Sequence, residues 1–196
     1  AMQPLRIEEI ERILLLMADL AGLTVTGTLT RPEIPGTGGT LTVEVELESA
    51  SGRFLFNNRG DDDVGPLQFI GQLGINDVFG LLESTDILGV TVPDTPRELL
   101  FGQISQDIPI STRGLSRRYA VSRGRSRPGG ELAELDVDIS TTATSLGLRY
   151  PVVRTIGKSL FASVDLFTKD NSVSVLNRLN SRDRTRWVAL AVATRH

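Results

Sequence analysis

From Arg53 to Thr194, apolar and polar positions alternate with a period of two through about eight segments, each closed by turn residues. The segments run Gly52 to Asn58, Leu67 to Asn76, Glu83 to Thr91, Glu98 to Ile110, Leu115 to Arg125, Leu135 to Tyr150, Leu160 to Lys169 and Thr185 to Thr194. Such a ladder predicts antiparallel hairpins and no helix of consequence. In the seventh segment Leu160, Ala162, Val164 and Leu166 share one face, while Ser163, Asp165 and Lys169 share the other with Phe161 and Phe167. In the second, Leu67, Phe69, Gly71, Leu73 and Ile75 alternate with Gln68, Ile70, Gln72, Gly74 and Asn76. One face is apolar and the other mixed.

That pattern fits two settings. A soluble sandwich buries the apolar face in a core, whereas an outer-membrane barrel turns it toward lipid and keeps a watered interior. Three features favour the barrel. The segments exceed the usual globular strand of about 5 to 6 residues and suit a tilted membrane crossing. Their second face carries Gln, Asn, Asp, Ser, Thr and Gly rather than a second core layer. The connections after the first, fifth and seventh segments (RGDDDVGP, SRPGGELAE and Asp170 to Asp183) are long and polar, those after the second and fourth shorter, as when turns lie at one end and loops at the other. Gln68, Gln72, Asp136, Asp138, Asp165 and Lys169 are then candidates to line a pore, Asp136 and Asp138 sharing a face with Ser140 by period two.

The first 51 residues follow a different period. Apolar positions at Ile7, Ile10, Leu14, Met17 and Leu20 or Ala21 predict an amphipathic helix from Arg6 to Ala21, stopped by Gly22. Two strands follow, Leu23 to Leu29 and Thr40 to Glu48. A helix and one hairpin are too little to fold alone, so this reads as part of a small α/β domain.

Composition narrows the function. A net charge of -3 gives no reason to expect nucleic acid, and the absence of cysteine removes disulfides, thiolate metal sites and a cysteine nucleophile. His196 is the lone histidine, and no nucleophile, base and orienting group can be assembled, so no enzyme and no cofactor are expected. No apolar run is long enough for a membrane helix, and the first residues lack the regions of a signal peptide. Ala1 and Met2 read as an expression scar on an excised piece.

Several stretches carry a resemblance. The run IERILLLMADLAGLTVTGTLTRPEIPGTGGTLTVEVE resembles the last helix and two strands of a POTRA (polypeptide-transport-associated) domain. The continuation through GRFLFNNRG, GPLQ and LGLRYP resembles the first half of the barrel of two-partner secretion transporters, the haemolysin secretion/activation (TpsB) class of the Omp85 superfamily. The resemblance implies a mainly β fold. Residues 1–51 would be the C-terminal part of a POTRA domain, and residues 52–196 the N-terminal half of a transmembrane barrel. It implies a bacterial outer-membrane pore that exports a large β-helical exoprotein, with the POTRA part in the periplasm. The family's VRGY hairpin tip has no match here, nor does the first strand and helix of its POTRA pattern. An Omp85-type assembly factor and a soluble all-β binding module or adhesin are the alternatives.

Individual residues follow from this frame. An unfolded passenger can add to a free strand edge, which in a POTRA sheet is the strand after the second helix, so Thr24, Thr26 and Thr28 on one face of Leu23 to Leu29 are candidates for passenger binding. Asp61, Asp62 and Asp63 are a solvated loop tip rather than a calcium site. Arg113, Arg117, Arg118, Arg123, Arg125 and Arg127 would pair with lumen carboxylates, contact lipopolysaccharide phosphates, or stay solvated. Tyr119, Tyr150 and Trp187 are candidates for the aromatic girdles.

Overall fold

The computed structural model describes residues 6–31, 38–58, 60 and 65–195. Helix α1 (Ile7–Ala18) leads into β1 (Leu23–Thr30) and β2 (Thr40–Leu47), an antiparallel pair in register from Leu23 opposite Leu47 to Thr30 opposite Thr40. Glu8 and Glu9 complement the positive N-terminal end of α1, and Gly22, at φ +73°, makes the turn that a side chain would strain.

The ladder forms one antiparallel sheet of 8 strands in sequence order. These are β3 (Ala50–Asn57), β4 (Gln68–Asn76), β5 (Ser84–Thr91), β6 (Leu99–Pro109), β7 (Ser116–Ser126), β8 (Asp138–Arg154), β9 (Ser159–Val175) and β10 (Arg178–Arg195). Among the described residues β3 and β10 do not pair, so the sheet is open. The expected segments all appear, with one 3-10 turn, Gly130–Leu135, between β7 and β8.

Two boundaries depart from expectation. The polar stretch from Asp170 to Asp183 is not a long loop: β9 and β10 continue through it as strands of 17 and 18 residues, joined by Leu176 and Asn177 alone. Both turn residues have positive φ, 52° and 60°, the geometry of a type I′ hairpin. β8 likewise runs past Tyr150, because Pro151 sits at a bulge where Val152 has no partner, and a bulge tolerates the missing N–H. A strand of 17 residues reaches about 58 Å, longer than a hydrocarbon layer of about 30 Å, so β8 to β10 project beyond one.

Almost nothing is buried. Among the described residues the one buried hydrophobic side chain is Val92, and the buried polar ones are Glu83 and Ser159. Among the described residues no second layer covers the faces of the sheet.

α1 closes one end. Leu14 lies against Gly27 of β1, and Leu16 reaches Gly114 in the β6–β7 turn, so opposite sides of the helix face the hairpin and the sheet. Three polar contacts tie it and its C-cap to the end of β8 and the β8–β9 turn. Arg12 donates to the Pro151 carbonyl (3.3 Å), the Ile156 N–H donates to Glu11 (2.7 Å), and Arg154 clamps Asp19 with two hydrogen bonds of 2.8 Å. The hairpin is fixed at the same end by the Asn76 amide donating to the Glu48 carbonyl (2.7 Å). Helix, hairpin and the even-numbered connections therefore share one end, and the other carries the connections after β3, β5, β7 and β9.

Candidate functional site

Register decides which side chains share a face. One row crosses the sheet as Asn76, Ser84, Asp107, Arg118, Gly147 and Asp165. The row nearer the far end reads Ser51, Gly74, Asp86, Ser105, Ala120, Ser145, Phe167 and Trp187, and the next Arg53, Gln72, Leu88, Gln103, Ser122, Ala143, Lys169 and Thr185. This face is mostly polar, though Leu55, Ile70, Val90 and Phe101 form an apolar row further up.

Its side chains interact across strands. Arg118 on β7 passes over Gly147 on β8 to meet Asp165 on β9 at 2.8 Å. Gly147 is what allows it, since a Cβ there would collide with the Asp165 carboxylate. Thr141 donates to Asn171 at 2.7 Å, and Phe167 stacks on Trp187 with centroids 4.9 Å apart. A recess of about 350 Å³ lies around Arg118 and Asp165, lined also by Asp86, Asp107 and Ser145. At the helix end the same face opens into a cleft of about 570 Å³ between Leu16 and Met17 of α1, with Leu20 just past it, and Pro109, Pro151 and Phe161 of the sheet. Arg149 covers the Phe161 ring at 4.0 Å in that mouth.

The opposite face carries a belt of unpacked apolar side chains. On β4 it runs from Phe69 to Ile75, on β6 from Leu100 to Ile108, on β8 from Leu146 to Val152, on β9 from Leu160 to Leu166, and on β10 from Val188 to Val192. Phe54, Leu190 and Val192 are 76%, 80% and 72% exposed. Following register, Val188 aligns through Leu166, Leu146, Tyr119, Gln106 and Thr85 with Ile75. The top of the belt on β10 is thus the bottom of the belt on β4. A belt that slants across the register rows is level only if the strands tilt, as barrel strands do.

Gln68, Gln72, Asp165 and Lys169 stand on the polar face together. Asp136 and Asp138 do not join them. Asp136 ends the 3-10 turn in a left-handed conformation (φ 43°), off the strand, so period two does not apply to it. Asp138 has the parity of Leu146 and Leu148, on the belt side above the belt, where Arg125 and Arg127 hold it. Trp187 is on the polar face, not in an outer girdle with Tyr119 and Tyr150. The basic stretch divides by parity: Arg118 faces Asp165, and Arg117, Arg123 and Arg125 point to the other side. Asp61, Asp62 and Asp63 lie outside the described residues.

Thr24, Thr26 and Thr28 are exposed on the side of β1 away from α1, beside Glu46, Glu44 and Thr42 of β2. Among the described residues β1 pairs only with β2, leaving its other edge open.

One polar group was invisible to sequence reasoning. Glu83, buried in the β4–β5 turn, accepts N–H bonds from Phe79 (2.8 Å) and Leu81 (3.2 Å). Burial works against its charge, but these backbone donors outweigh it and hold the carboxyl below its ordinary value.

No protein-family model and no curated relative matches the sequence. Solved structures do match in fold. CdiB from Escherichia coli aligns over 91% of this chain and 34% of its own, with a TM-score of 0.70 at 15% identity. CdiB from Acinetobacter baumannii aligns over 88% of this chain and 34% of its own, with a TM-score of 0.56 at 16% identity. BamA from Haemophilus ducreyi lacking POTRA domains 1-3 aligns at a TM-score of 0.46, too slight a likeness to argue from. The chain spans about a third of the CdiB chains it matches. Its fold is that of about a third of the CdiB chains, a β-barrel architecture of the sort the sequence resemblance implied.

Proposed function

We propose that this chain is part of a bacterial outer-membrane pore that exports a large β-helical exoprotein by two-partner secretion. The carrying observation is a sheet whose strands bury no large hydrophobic side chain among the described residues and carry a slanting apolar belt, in a fold shared with CdiB. An uncovered apolar face of that size needs lipid or another protein, and the tilt of the belt favours a bilayer. On this reading residues 1–51 are the end of a periplasmic POTRA domain and residues 52–196 half of the barrel. Gln68, Gln72, Asp165 and Lys169 line the passage, and the open edge of β1 pairs with the unfolded passenger, Thr24, Thr26 and Thr28 contacting its side chains.

Two measurements test the reading. Single cysteines at Leu146, Leu166 and Leu190, compared with Ser145 and Ser163, are labelled in lipid vesicles with a water-soluble maleimide. The belt positions stay protected and the polar-face positions react; equal labelling would sink the membrane assignment. Proline scanned from Thr24 to Thr28 tests the edge, with the secretion domain of a two-partner exoprotein as probe. Capture is lost at alternate positions, those whose N–H faces the open edge, and unaltered capture across the scan refutes pairing there.

A further inference from the structure

We infer that the belt side of β7 to β10 carries a binding surface for the phosphorylated sugar headgroup of lipopolysaccharide, an inference that rests on the belt meeting lipid. Two columns of arginine stand directly above the belt. On β7, Arg123 and Arg125 follow the belt residues Tyr119 and Val121, with Arg127 just beyond the strand; on β10, Arg186, Arg184 and Arg182 follow Val188. Register aligns the columns: Arg123 leads through Thr142 and Asp170 to Arg184, and Arg125 through Ser140 and Ser172 to Arg182. A third row joins Val121 to Arg186 through Thr144 and Thr168. Between the arginines lies a floor of hydroxyl side chains, Ser140, Thr142, Thr144, Thr168 and Ser172, with the Asp170 carboxylate beside the β10 column.

The charges do not balance. Asp138 takes Arg125 and Arg127, and Asp170 takes Arg182 and Arg184. Each carboxylate is thus shared by two guanidiniums, and among the described residues Arg123 and Arg186 have no hydrogen-bond or ion-pair partner. Uncompensated guanidiniums beside an apolar belt call for anions anchored in the same layer. Phosphates on a lipid meet that need, and guanidinium binds phosphate in a forked, charge-assisted geometry. The columns are three strands apart, about 14 Å, a separation that suits a headgroup bearing phosphates at both ends of a sugar unit, with hydroxyls beneath it. Arg117 supplies the internal control. It points to the same side but sits at the helix end of the belt, between Ile108 and Leu148, where the opposite leaflet would lie.

The test uses the full chain in phosphatidylcholine vesicles, with fluorescent lipopolysaccharide and its dephosphorylated form as probes. The phosphorylated probe binds more tightly, and added salt weakens it. Changing Arg123→Gln, Arg184→Gln and Arg186→Gln together lowers its affinity about tenfold or more, whereas Arg117→Gln leaves it unchanged. Equal binding of the two probes, or an equal loss from Arg117→Gln, overturns the inference. The cysteine at Leu190 is labelled in the same vesicles: if it is protected and lipopolysaccharide is not preferred, this surface alone is refuted, whereas if it reacts freely the membrane reading itself has failed.

Discussion

The two faces of the eight-stranded sheet share every backbone hydrogen bond and differ in what their side chains meet. On the polar face side chains meet one another: Arg118 finds Asp165, Thr141 finds Asn171, and Phe167 stacks on Trp187. On the belt face Leu190, Val192 and Phe54 stay largely exposed, Phe54 with only the Phe69 ring stacked on it. A shift of one residue in register would exchange the two sets, so the medium on each side fixes the register as firmly as the hydrogen bonds do. On the belt face ion pairs are confined to the Asp138 and Asp170 clusters above the apolar belt, whereas on the polar face pairing runs through the middle of the sheet. On the proposed membrane reading a substitution should be felt through lipid on the belt and through partners on the polar face.

The largest effect is expected where the belt is made polar. Leu148→Arg places a guanidinium in the middle of the β8 belt, among Leu146, Val164 and Leu190. In vesicles it should cost about 2–4 kcal/mol in a urea titration, while Ser145→Arg on the other face of the same strand changes little. Equal costs at the two positions would mean that the faces do not meet different media.

A smaller effect is expected from breaking a partnership on the polar face. Gly147→Ala pushes a methyl group into the space of the Asp165 carboxylate and separates it from Arg118. The cost should be about 1–2 kcal/mol, since Arg118 is 40% exposed and water takes over part of the pairing. Combined with Arg118→Gln, the loss should be less than additive, because both changes remove one interaction; strict additivity would show that Gly147 matters for another reason.

The same contrast explains what was legible in the sequence. Where one face is apolar and the other polar, alternation is sharp, and the strands from β3 to β7 begin and end within about two residues of the expected positions. Beyond the belt both faces of β9 and β10 carry polar side chains, so Asp170 to Asp183 lacks the apolar face of a strand and reads as a loop. Leu176-Asn177 was the missed signal, since Asn accepts positive φ readily, but Leu at the first turn position obscured it. Asp138 was assigned to the wrong face because period two was counted from Asp136, and the 3-10 turn breaks the count before the strand begins. The arginines from Arg117 to Arg125 were visible as a basic stretch, but register was needed to separate Arg118 from its neighbours. Glu83 carries no sequence mark at all, since its role depends on how the β4–β5 turn folds back on it.

The smallest expected effect lies in that turn, at the end of the sheet where neither medium contrast applies. Glu83 is ionised more readily in the folded turn than in an unfolded chain, because the Phe79 and Leu81 N–H groups stabilise the carboxylate despite burial. Its contribution to stability is therefore fully present above the ordinary carboxylate value of 4.5, and is lost as the pH falls through the lowered folded value. Glu83→Gln keeps the shape and one acceptor oxygen but removes the charge. Around neutral pH the variant should be less stable than the parent, and the gap should close as acid protonates the parent's carboxyl. Thermal melts at pH 7 and at about pH 3 measure both ends of that window. A gap independent of pH would mean that the carboxylate charge contributes nothing, and that the turn is held by its backbone bonds, Asp77 N–H to the Glu83 carbonyl among them, without help from the side chain.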